Sequence, residues 1–204
     1  ISLLNETRTR LQEVNLLLDF SRQLRGLDAD HIVGALLDSA RRALPVAHAG
    51  AVLVWDEPTS QLYPHAVSGY ADNDTMKRIA YHPGDSLPGL VFEQKKPMRV
   101  DEIQFTRDYL FSTEEQLLYR QATGGRLPVS SLLIPIQTGD QNVGVLALDN
   151  FNTPAAFTRE DETLLLSLSQ QVGLSLQNVR LVRTTQERAY QLEALTDAAT
   201  TLAS

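Results

Sequence analysis

The sequence predicts an α+β domain in which an antiparallel sheet is bracketed by amphipathic helices. Three observations carry that prediction. Apolar residues recur at helical spacing near both ends of the 204-residue chain. Between the ends, residues 48–70 read as two strands folded back on a turn. Residues 129–151 read as a second and stronger hairpin, with Gly139-Asp140 at its turn. Hairpins in the middle and helices outside them describe an antiparallel sheet rather than alternating parallel units.

The elements follow in order. Leu4, Leu11 and Leu18 fall on one line of a helix and Leu3, Val14, Leu17 and Leu24 on the next, giving about six amphipathic turns. Gly26 is placed to end that helix. Asp28 or Asp30 can cap a second one through Ile32, Leu36, Leu37 and Leu44, stopped by Pro45. "HAGAVLVWDE" (48–57) and "QLYPHAVSGY" (61–70) are the first two strands, and "ADNDTMKRIA" (71–80) is a short helical stretch. A helix from Pro88 to Lys95 leads to a strand at Met98 to Val100. The polar segment 103–127 contains a helix around Thr113 to Gln121 and ends in the turn "TGGRLP". From Thr158 to about Leu202 only Gly173 interrupts the helical pattern, at a cost of about 1 kcal/mol against alanine. A helix of that extent is on the order of 65 Å long, more than a compact domain of this size needs.

Composition narrows the function. Hydrophobic residues make up 43% of the chain, enough for a core, and no run approaches the roughly 20 apolar residues of a membrane span. A net charge of −7 with interspersed signs argues against a nucleic-acid surface and against a polybasic membrane patch. The absence of cysteine excludes disulfides and thiol chemistry within these residues and fits a reducing, cytoplasmic location. The first residue, Ile1, is neither a methionine nor part of a signal peptide, which suggests a piece of a longer protein.

The last segment echoes the first. At an offset of 178 residues Leu181 lies under Leu3, Arg188 under Arg10, Leu195 under Leu17, Asp197 under Asp19 and Leu202 under Leu24. The echo suggests an array of similar modules strung on helices. Steps of four and three from Leu174 to Leu202 meet Leu, Asn, Leu, Thr, Arg, Leu, Leu, Ala and Leu. Six of these nine are apolar, a soft seam suited to a homodimer that can shift, with Leu181, Leu192, Leu195 and Leu202 as its apolar contacts. The plainer alternative has the first half of this helix on its own sheet and only the tail projecting; one helix can do both.

Four strings in this order resemble the GAF family, sensory ligand-binding modules akin in architecture to PAS domains. They are "LLLDFSRQLRGLDADHIVGALLDSARRAL" (16–44), "GDSLPGLVFEQKKPMRVDE" (84–102), "SSLLIPIQTGDQNVGVLALDN" (130–150) and "FTREDETLLLSLSQQVGLSLQNVRL" (157–181). The resemblance implies a GAF/PAS-like antiparallel sheet of five or six strands. The long N- and C-terminal helices would cover one face, and short helices and loops would enclose a pocket on the other. It divides the chain into a leading signalling helix (1–26), a GAF domain (27–180) and an exit helix toward a following module (181–204). The implied role is non-catalytic: a small ligand is bound, and dimerised helices relay the signal to a histidine kinase of a two-component system or to another output domain. Its partners are then a second copy, a small molecule whose identity is open and the adjacent modules. The alternatives are a dimerising spacer that binds nothing and a cyclic-nucleotide-binding module.

Pocket candidates on this reading are His82, Leu87, Leu90, Val91, Arg99, Phe105 and Tyr109. His82, in "YHPGD", fits a surface or turn role better than a pocket-lining one. None of His31, His48, His65 and His82 has a second ligand at i+3 or i+4, so no metal site is expected, and no cofactor is specified. Phe105, Tyr109, Phe111 and Tyr119 give segment 103–127 the means either to pack on the sheet or to close as a lid. Asn150, Phe157, Asp161 and Glu162 match in type and spacing the motif of cyclic-nucleotide-binding members, but Phe151 stands where those have lysine, which counts against that ligand. The same junction works as a helix start alone. Thr158 caps, Asp161 reaches back to the cap amide, and acidic residues 160–162 meet the positive end of the helix dipole. No catalytic residues are expected. The one enzymatic activity associated with the family, reduction of free methionine sulfoxide, depends on cysteines, and this chain has none.

Overall fold

A computed structural model describes the backbone of residues 2–202 and the side chains of residues 6–191. Helix α1 (Ser2–Gln23) ends at Gly26, whose φ of +76° is the left-handed conformation that glycine adopts without steric cost. Helix α2 (Ala29–Ala43) starts at Asp28, which accepts the His31 N–H at 3.0 Å. Strands β1 (Ala49–Asp56) and β2 (Gln61–Ser68) form the first hairpin. Then come α3 (Asn73–Met76), α4 (Leu87–Gln94), β3 (Met98–Val100), α5 (Phe105–Asp108) and α6 (Thr113–Ala122). The second hairpin, β4 (Ser130–Thr138) and β5 (Gln141–Asn150), precedes α7 (Arg159–Leu202).

The five strands stand in the order β2-β1-β5-β4-β3, and every pairing is antiparallel. Alternation along the strands sends Val52, Leu132, Ile134, Ile136, Leu146 and Leu148 to one face, where α2 and α7 cover them and α1 packs on α7. Burying a leucine or isoleucine there contributes about 1.5–3 kcal/mol. The opposite face carries Ala51, Leu53, Leu133, Val145 and Ala147 beneath α3, α4, α6 and the loops. This is the α+β arrangement expected, with five strands.

The long helix has two regimes. Leu165, Leu168 and Val172 are buried on the sheet and Leu176 and Val179 partly so, whereas Leu181, Val182 and Tyr190 are exposed. Gly173 marks the closest approach, because a Cβ there would collide with the Gln137 carbonyl oxygen of β4. The sequence assigns Gly173 only a helix-weakening cost; the fold gives it a contact that no other residue can make. Phe20 on α1 and Leu24 just after it join the core, while Leu11, Val14 and Leu18 stay exposed. Among the described residues no helix is long and apolar enough to cross a membrane.

Candidate functional site

The face away from the long helices is an aromatic layer around one buried acid. Asp149 follows Val145 and Ala147 by strand alternation, so it points into this face, and it is only 3% exposed. Tyr70 donates to its Oδ2 at 2.6 Å, and Ser131, its register partner on β4, donates to Oδ1. Burial raises the Asp149 carboxyl above its usual range, and the two hydroxyl donors offset part of that rise. The Tyr70 hydroxyl is held well above its usual value by burial first and by the neighbouring Asp149 second. Tyr81, Tyr109 and Tyr119 are displaced upward for the same two reasons.

Segment 103–127 supplies most of the rings. Phe105 stacks on Tyr109 at 4.9 Å and meets Tyr119 at 4.9 Å, while Phe111 lies 5.5 Å from Tyr81 and 5.6 Å from Tyr119. Tyr109, Phe111 and Tyr119 are buried. The segment is docked by the Ile103 N–H on the Val129 carbonyl and the Leu110 N–H on the Asp85 carbonyl, both 2.8 Å. Of the two roles open to these aromatics, they are packed down on the sheet in this structure. The one-turn helix α5 was not legible beforehand, since it has four residues and no side-chain cap.

The pocket candidates divide. Leu87 and Val91 on α4 are buried within this layer with Tyr109, and Phe105 packs against it. Leu90 is half-buried on the same helix. His82 is exposed, its Nε2 lying 3.3 Å from Gln61 Nε2. Arg99 is exposed on β3, 3.6 Å from Asp101, and its register partner Leu132 belongs to the helix-covered face. The sequence reading missed Asp149, Tyr70 and Ser131. An acid closing the apolar run "GVLALD", in phase with Val145 and Ala147, was the available signal.

The β5–α7 junction is held by its own hydrogen bonds. Asn150, 2% exposed, donates to the Val46 carbonyl at 2.7 Å and accepts the Asn152 and Thr153 N–H groups at 2.8 Å each. The Thr158 N–H donates to Asp161 Oδ2 at 2.8 Å, and the Asp161 N–H donates to Thr158 Oγ1 at 3.1 Å, a reciprocal cap. Glu162 lies in the same first turn, and Phe157 is buried beneath it. Leu181 of the seam is exposed, whereas the side chains of Leu192, Leu195 and Leu202 lie outside the described residues. Among the described residues no three His, Asp or Glu side chains converge as a metal-ligand set.

The GAF domain family model matches residues 28–176, and the chain belongs to that family. No curated protein sequence matches it. Solved structures do. A GAF domain of a phosphoenolpyruvate-protein phosphotransferase from Coxiella burnetii superposes with a TM-score of 0.70 at 17% identity, over 85% of this chain and 98% of the other. The GAF domain of a candidate sensor histidine kinase from Pseudomonas syringae pv. tomato gives 0.62 at 19% identity, over 91% and 99%. Free methionine-R-sulfoxide reductase from Neisseria meningitidis, solved with its substrate, gives 0.65 at 13% identity, over 83% and 91%. At these identities the likeness is one of fold.

Proposed function

We propose that this domain is a sensory module that takes up a small ligand against the aromatic face and passes its occupancy to α7. The observation that carries the reading is Asp149. A carboxylate buried in an apolar layer is costly, and the two hydroxyls that donate to it offset only part of that cost. A buried titratable group with specific charge and hydrogen-bond partners marks a candidate functional site. A ligand that competes for the Tyr70 or Ser131 hydroxyl changes the hydrogen bonding of β5 one residue before Asn150. Asn150 in turn fixes the start of the connection to α7. The ligand biases the helix only through its different affinity for two arrangements.

Beyond the sheet, the projecting part of α7 pairs with a second copy through Leu181, Leu192, Leu195 and Leu202. It hands the change to the next module, a histidine kinase or another output domain. The module itself performs no reaction and works in the cytoplasm. Residues 1–26 lead in, 27–180 sense, and 181–204 lead out. A dimerising spacer is the second reading, and the close ring contacts around Tyr109 and Tyr119 favour it.

A thermal-shift panel of cyclic nucleotides, haem and metabolites, run on the natural chain and on Asp149→Asn, separates these readings. The sensory reading predicts a compound that raises Tm in the natural chain and loses its effect in the variant. A panel without any such compound favours the spacer. Equal stabilisation of both proteins by cyclic GMP or cyclic AMP favours nucleotide binding away from Asp149.

A further inference from the structure

A cavity of about 330 Å³ opens where β1 begins, β2 ends and β5 leaves the sheet. His48, Tyr70, Thr123, Gly124, Arg126 and Phe151 line it. The loops at its mouth are joined by the Asp72 N–H on the Ala122 carbonyl at 2.9 Å and by Gln121 on Thr75 Oγ1 at 3.3 Å. At Gly124 a Cβ would stand 3.1 Å from Ala71 Cβ, so the two loops close on one another there.

Two arginines without an ion-pair partner among the described residues stand at this spot. The chain carries −7 overall, yet Arg41 behind the wall and Arg126 on it form no ion pair among the described residues. Arg41 donates to Ser68 Oγ and to the His48 carbonyl at 2.9 Å, and its Nε is buried without an acceptor. Two acids border the site without pairing either arginine: Asp149 accepts from Tyr70 and Ser131, and Asp72 accepts from Thr75, which keeps its carboxylate ionised. His48 accepts the Phe151 N–H at Nδ1 (3.1 Å), which leaves Nε2 as its donor. Arg126 stands 5.6 Å from the centroid of the Phe151 ring, steadied by Asn152 Oδ1 at 2.6 Å.

We infer that this cavity is a second binding site, for a small planar carboxylate. Its carboxylate takes the Arg126 fork and the His48 Nε2–H, a charge-assisted pair of donors. Its flat face lies against Phe151. The site borders the aromatic face through Tyr70 and Phe151, which meet edge-on at 6.1 Å, but it does not include Asp149 and does not depend on the function proposed for that face. It also has a mechanical consequence, because Phe151 opens the connection from β5 to α7. An occupant here braces the base of the exit helix.

Thermal shift and calorimetric titration with benzoate, acetate and benzyl alcohol test the inference. Benzoate at ten times its Kd is expected to raise Tm by about 3–6 °C, with acetate weaker and benzyl alcohol without effect. Arg126→Gln, on an exposed side chain, is expected to weaken benzoate roughly tenfold with its circular dichroism unchanged. Phe151→Leu should weaken benzoate more than acetate. Asp149→Asn should leave benzoate binding in place, which separates this site from the aromatic face. The inference is overturned if benzoate gives no shift, if benzyl alcohol matches it, if Arg126→Gln binds it undiminished, or if Asp149→Asn abolishes it.

Discussion

At the scale of single residues, Asp149 joins stability to function. Its folded carboxyl is raised above the usual 3.8, with burial as the largest cause. Below that value both folded and unfolded forms hold the proton and the group is neutral in the balance. As pH rises above it, the unfolded chain ionises first, and the stability tied to the folded proton is lost. Asp149→Asn removes this loss while keeping an acceptor for Tyr70. It is expected to raise Tm at pH 7 by about 2–4 °C, near 1 kcal/mol, with the gain vanishing toward pH 4. Thermal melts at both pH values check this; a variant less stable at pH 7 would mean that the carboxylate is itself a structural requirement. The residue-level chemistry was only half legible. The Thr158–Asp161 cap could be read because cap and helix are neighbours in the chain. Asp149 meets Tyr70 and Ser131 across separations of 79 and 18 residues, and no local pattern announces such a meeting.

Among elements, the contact between α7 and β4 decides how tightly the sheet grips the exit helix. Alanine is the better helix former by about 1 kcal/mol, so propensity alone predicts that Gly173→Ala stabilises. The fold predicts the reverse, because the added Cβ meets the Gln137 carbonyl and must push α7 from the sheet. Gly173→Ala is expected to cost about 2–4 kcal/mol by chemical denaturation; a neutral or stabilising result would show that α7 sits farther out. Both hairpins and the long helices were legible because their periods, two and 3.6, persist over many residues. Helix α5 was not, with four residues and no cap. Nor was the closeness at Gly173, since the carbonyl it accommodates comes from a strand that the helix meets only in the folded state.

The whole molecule is a sheet with two unlike faces, one joined to a helix that runs from Arg159 to Leu202 and leaves the body near Val179. The helix-covered face was foreseeable from amphipathic stripes, while the other depends on aromatic residues gathered from segments far apart in sequence. Under the proposed pairing through the projecting helices, two copies give a particle of about 45 kDa, twice the 22.6 kDa of one chain. Leu195→Glu is expected to return it to the single-chain mass by light scattering, and an unchanged mass would remove the seam. The central claim is that what occupies the aromatic face sets how the exit helices lie. Because the chain has no cysteine, Tyr190→Cys gives a single spin-label site on an exposed position of α7 off the seam. The distance between the two labels in the dimer, with and without a compound that stabilises the natural chain, is the most direct measurement. The account predicts that the compound shifts the distance distribution and that Asp149→Asn abolishes the shift; a compound that binds the aromatic face yet leaves the distribution unchanged would contradict it.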